Sequence, residues 1–83
     1  MDTTPEKDEM LRSAGFRYYF DRMAYVNRKA KKIISVEAVD DTSEESLKDM
    51  IAEPNDSGDW RFYFTDGQQP PPAVKRAFLA ELG

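Results

Sequence analysis

Two short aromatic runs set an arginine two residues before a tyrosine. Arg17 and Tyr19 lie in Phe16-Arg17-Tyr18-Tyr19-Phe20, and Arg61 and Tyr63 in Trp60-Arg61-Phe62-Tyr63-Phe64. A third cluster, Arg28, Lys29, Lys31 and Lys32, is basic without an aromatic. Guanidinium and phenol planes on one surface can stack on unpaired bases while lysines track phosphates. Tyrosine and arginine are also enriched at the centres of protein interfaces. Either use needs residues i and i+2 on one face, which a strand supplies.

Other chemistry is excluded by what is missing. The 83 residues hold no His and no Cys. That removes the commonest general base, the thiol nucleophile, the imidazole and thiolate metal ligands, and any disulfide. Serine triads in their usual form, zinc sites and thiol redox chemistry go with them. Asp40, Asp41, Glu44 and Glu45 lie close together, and Asp56 and Asp59 flank Gly58. Neither group has the alternating ligands, central glycine and distal glutamate of a calcium loop. Acids at a helix start are accounted for by the helix dipole. Gly15, Gly58, Gly67 and Gly83 stand singly, so there is no phosphate-cradling loop. A lysine acts as an amine nucleophile only when desolvated, and Lys32, at the mouth of an apolar face, is the one lysine placed for partial burial. The expectation is a protein that is not an enzyme, with no metal, no cofactor and no small-molecule ligand.

The formal charge of -4 is unevenly spread. Residues 1–15 carry four acids and two bases, a net of -2; residues 16–32 carry six bases and one acid, a net of +5. Residues 33–59 hold nine acids and Lys48, a net of -8, and residues 60–83 return to +1. Such blocks read first as basic and acidic elements adjacent in one fold, and second as two separate docking surfaces.

The elements that must position these groups follow from periodicity. Thr4-Pro5-Glu6 is a helix start with a hydroxyl cap and proline in the first turn, but Met10, Leu11 and Ala14 offer little apolar surface. Residues 1–15 are therefore expected to be weakly helical, frayed or disordered. Phe16, Tyr18 and Phe20 alternate as on a half-buried strand; Met23 and Tyr25 have the opposite parity. A bulge near Asp21-Arg22 or a break into two short strands accounts for the slip. Asn27 to Ala30 reads as a hairpin tip, and Lys32, Ile34, Val36 and Ala38 continue a β-branched strand through Val39. A capping box from Thr42 to Glu45 opens a helix in which Leu47, Met50 and Ile51 share a stripe and Glu44 pairs with Lys48. Pro54 ends it. Trp60, Phe62 and Phe64 line one face of the next strand, Asp66-Gly67 closes it, and Gln68-Gln69-Pro70-Pro71-Pro72 leads stiffly into a last helix. That helix carries Val74, Ala77, Phe78 and Leu82 on one side.

The chain so read is a small single α+β domain over residues 16–83. It has a three-stranded sheet, a hairpin plus a third strand, with two helices packed on one face. Arg17, Tyr19, Arg61 and Tyr63 take the parity opposite the apolar faces, so neighbouring strands would form an Arg/Tyr platform beside the basic 28–32 hairpin. The first functional reading is a small acidic, non-catalytic interaction module, regulatory in character, that binds another protein or a second copy of itself. It would use Arg17, Tyr19, Arg28, Lys29, Lys31, Lys32, Arg61 and Tyr63. The second reading is a nucleic-acid-binding domain using the same residues, which the net acidic charge disfavours. No apolar run approaches the ~20 residues of a membrane span. The first residues lack the basic and apolar regions of a signal peptide, so a soluble, cytoplasmic protein is expected.

Overall fold

Lys32-Ile33-Ile34-Ser35 is apolar on both parities, and a strand of that kind must be covered on both faces. In the computed structural model, which describes residues 4–64 and 70–82, it forms β3 (Lys32–Ser35), an inner strand of a four-stranded mixed sheet. The order is β1 (Arg17–Tyr19), β2 (Ala24–Asn27), β3, β4 (Arg61–Tyr63). The first three strands run antiparallel, and β4 lies parallel to β3. A parallel neighbour needs a crossover, and α2 (Val36–Asp41) and α3 (Glu44–Ala52) supply it. The N-terminal α1 (Pro5–Ser13) and the C-terminal α4 (Pro72–Leu82) complete the domain. Its radius of gyration, 11.8 Å, is close to that of a compact chain of this length, about 12 Å.

The α+β class agrees with the sequence; the counts do not. Among the described residues, four strands and four helices replace the expected three strands and two packed helices with a weak N-terminal one. The helices do not share one face either. Tyr18, Tyr25, Ile34 and Tyr63 align across the sheet on the side where Leu11 of α1, Val39 of α2 and Leu47 of α3 complete a core. Arg17, Val26, Ile33 and Phe62 align on the other side, where Phe78 and Leu82 of α4 pack. Ile33 beside Ile34, and Tyr25 beside Val26, require this sandwich.

Several local expectations resolve differently. The parity slip is a strand break: Phe20–Arg22 form a single 3-10 turn and Met23 takes a left-handed φ of 48°. Phe16 is buried and Tyr18 half-buried, but Phe20, expected inward with them, is 78% exposed. The long third strand stops at Ser35, whose side chain accepts from Ala38 N at 3.2 Å and caps α2. A local cap thus overrides the β-branched run that follows it. Ser43 and not Thr42 caps α3, accepting from Ser46 N at 3.1 Å. Thr42 instead donates to Ala38 O at 2.5 Å. Glu44 and Lys48 make no ion pair with each other. On α4 Phe78 and Leu82 are buried while Val74 is exposed.

The N-terminal helix, expected to be weak, spans Pro5–Ser13 and contributes Leu11 to the core. Thr4 caps it and Leu11 is fully buried. Lys7 Nζ donates to the carbonyls of Val39 and Asp40, at 2.8 and 3.4 Å, closing the end of α2. Tyr25 donates its hydroxyl to Asp8 at 2.6 Å. A single buried leucine and two polar anchors dock a helix too sparsely apolar to stand alone. Asp66-Gly67 and Gln68-Gln69 fall outside the described residues. Among the described residues no helix is long and apolar enough to cross a membrane.

Candidate binding cleft at the hairpin end

Arg17, at the start of β1, and Asn27, at the end of β2, lie at the same end of the sheet as Lys32 and Arg61. The tip of the β2–β3 hairpin is held by Asn27. Its Oδ1 accepts from Ala30 N at 3.0 Å, and its Nδ2 donates to Ala14 O at 3.2 Å, joining the tip to the end of α1. Gly15 turns there with φ 101°, and a Cβ on it would stand 3.4 Å from Asn27 Nδ2. The conformation favours glycine.

Beside this junction lies a cleft of about 520 Å³, lined by Arg17, Tyr19, Val26, Arg28, Lys29 and Ile51 together with Ala14, Gly15 and the tip. Its size falls within the ~300–1,000 Å³ of ordinary ligand pockets. Val26 and Ile51 make it partly apolar, and no carboxylate lines it. Arg28 Nη2 donates to the Tyr19 hydroxyl at 3.0 Å. Among the described residues none of Arg17, Arg28 and Lys29 has an acidic partner. Three cations thus border one half-open cleft without neutralisation.

The remaining four sequence candidates lie elsewhere, and the Arg/Tyr platform does not form. β1 and β4 are opposite edges of the sheet, separated by β2 and β3. Tyr63 aligns with Tyr18 and Phe62 with Arg17, so Arg61 and Tyr63 occupy the face opposite Arg17 and Tyr19. Parity alone relates residues within a strand and says nothing of which strands are neighbours or how two strands are registered.

Those four residues build the far side of the hairpin. Lys32, only 1% exposed, sends Nζ to the carbonyls of Met50 at 2.8 Å, Ile51 at 3.0 Å and Glu53. An ammonium ion there closes the last turn of α3 and meets the negative end of its dipole. Burial pulls the Lys32 pKa below its ordinary value, and Arg61 adds to this while Glu53 opposes it. The Glu53 carboxylate accepts from the Tyr63 hydroxyl at 2.5 Å and from Arg61 Nη1 at 2.8 Å. Those two bonds, Tyr63 first, hold its pKa below the usual carboxylate value. Burial, then Glu53, raises that of Tyr63. Lys31 donates to Gly58 O at 3.0 Å, and Asn55 Nδ2 reaches the carbonyls of Ala30, Lys31 and Asp59 at 3.0–3.1 Å. This half of the basic segment is therefore structural.

Four of the eight residues, Arg17, Tyr19, Arg28 and Lys29, come together. Sequence reasoning missed Val26, Ile51 and Asn27 as parts of the cleft, although Asn27 at a hairpin tip was a signal for a side chain bonding its own turn. Among the described residues no group of three or more His, Cys, Asp and Glu side chains is placed to hold a metal ion. Fold and cleft define a small mixed α+β domain with a basic, partly apolar recess at one end of its sheet. No protein family, no curated protein and no solved structure matches the chain.

Proposed function

We propose that the protein is a small non-catalytic binding module, acting in the cytoplasm. Its hairpin-end cleft receives an acidic segment carrying an apolar side chain from a partner protein. The observation that carries this is the convergence of Arg17, Arg28 and Lys29 on a partly apolar cleft that no carboxylate lines. Cations left unneutralised around a recess favour a partner of opposite charge and speed its approach. Val26, Ile51 and the Tyr19 ring supply the apolar contact that an ion alone would not use.

The test is an NMR titration with a peptide of Asp and Glu around a single Phe. Shift changes centred on Arg17, Tyr19, Arg28 and Lys29, weakening as salt is added, support the reading. Changes centred elsewhere overturn it. Single-stranded nucleic acid is the second reading, favoured by Tyr19 standing among three cations. The net charge of -4 opposes it. An oligonucleotide that shifts the same resonances more strongly than the acidic peptide would promote it.

A further inference from the structure

The two most exposed large apolar side chains of the described residues stand together at the opposite end of the sheet. Phe20 is 78% and Met23 61% exposed. Phe20 opens the 3-10 turn between β1 and β2 and Met23 follows it, and Met23 O accepts from Val36 N at 3.0 Å, fixing the turn against the start of α2. Met23 is held at φ 48°, a left-handed conformation that side-chain-bearing residues seldom adopt.

This end is acidic. Asp21 lies in the turn, and Glu37, Asp40 and Asp41 lie on α2. None of the four makes an ion pair among the described residues. The nearby cations are already engaged: Arg22 by Glu81 at 2.7 Å and the face of Phe78, and Lys7 by the carbonyls of Val39 and Asp40. Shallow depressions of about 190 and 320 Å³ adjoin Met23, both bordered by Val36 and Glu37.

One end of the sheet is therefore an apolar recess rimmed by bases, and the other an apolar projection rimmed by acids. We infer that a second copy of this chain supplies the partner segment: its Phe20/Met23 end seats in the Arg17/Arg28/Lys29 cleft. This rests on the binding reading above and names its partner. The charge complementarity is between opposite ends of one molecule, so the contact is head-to-tail. Such a contact uses two different patches and propagates into open chains or rings without stopping at a dimer. Basic side chains of one copy have room beside Glu37 of the next.

The experiment is sedimentation of the full chain from micromolar to millimolar concentration, with two double variants. F20S/M23S removes the apolar end and leaves the cleft. R28E/K29E reverses the cleft and leaves the apolar end. The wild-type chain is expected to exceed dimer mass as concentration rises, and to dissociate in high salt. Each variant alone, folded by circular dichroism, is expected to remain monomeric. Mixed, they should form a one-to-one dimer and nothing larger, since each keeps one competent end. That mixed affinity should exceed either variant's self-association by about tenfold or more, as loss of one central contact implies. A monomeric wild type, a mass that saturates at a dimer, or folded variants that fail to combine would overturn the inference. A monomer whose cleft still binds the acidic Phe peptide leaves the binding module standing without self-assembly. A monomer that binds no acidic peptide sinks both.

Discussion

Arg28 donates a hydrogen bond from Nη2 to the Tyr19 hydroxyl at 3.0 Å, so the hairpin tip and the edge strand β1 share one polar contact across the mouth of the cleft. The contact is exposed and adds little to stability, but it orients a guanidinium that would otherwise sample many rotamers. Tyr19→Phe keeps the ring and removes the acceptor. Ordering one long side chain on binding costs about 0.5–1.5 kcal/mol. The variant should therefore bind an acidic peptide about two- to tenfold more weakly, with an unchanged urea midpoint. Equal or tighter binding in calorimetry would show that the bond does not prepare Arg28.

Lys32 is the side chain on which the end of α3 depends. Lys32→Met keeps most of the stem and leaves the Met50, Ile51 and Glu53 carbonyls without their shared donor. Losing one partner from buried polar groups costs about 1–3 kcal/mol. A lower urea midpoint is expected, with early amide exchange in residues 50–53. A midpoint equal to wild type would mean that burying the ammonium costs as much as its three bonds return.

Acid should weaken the fold through Glu53 and Asp8. Both carboxyls are held below their ordinary values, 4.5 and 3.8, each chiefly by a tyrosine hydroxyl, Tyr63 and Tyr25 respectively. A carboxyl whose pKa is lower folded than unfolded stabilises the protein when ionised. That stabilisation is whole above the unfolded pKa and is lost as pH falls from the ordinary carboxylate value into the acid range below it, through the lowered folded one. Urea midpoints measured down that range should decline, and Glu53→Gln should make the decline shallower. An identical slope in the variant would remove Glu53 from the account.

Phe62 is the aromatic on which the α4 layer closes. It is buried on β4, with its ring centroid 6.0 Å from that of Phe78 and Lys75 Nζ 5.4 Å from its centroid. Phe62→Ala should cost about 3–5 kcal/mol, the usual range for a buried phenylalanine. Denaturation monitored by circular dichroism checks this. A loss under 1 kcal/mol, the scale of a surface change, would mean that α4 does not pack there.

Residues 44–52 and 61–63 were readable because a helical stripe and a two-residue alternation both occur within one segment. The hairpin tip was readable for a related reason: Asn27 to Ala30 carries no large apolar residue between two apolar runs. The end of β3 was not, because Val36 and Val39 favour a strand by type while the Ser35 cap makes them helical. The inward place of Leu11 was hidden too, since its partners Tyr25, Ile34 and Leu47 are distant in the chain.

Composition alone narrowed the chemistry: with no His and no Cys, the side chains able to act are arginine, lysine, tyrosine, the carboxylates and the serine and threonine hydroxyls. The chain also located the basic and acidic blocks and most of the elements. Strand order then divided the eight candidates. It sent Lys32, Arg61 and Tyr63 to the end of α3 and Lys31 to the Gly58 carbonyl, and gathered Arg17, Tyr19, Arg28 and Lys29 around a cleft. Periodicity reports which side chains of a segment share a face. Which segments are neighbours, and which face each helix covers, depends on burial summed over the whole molecule.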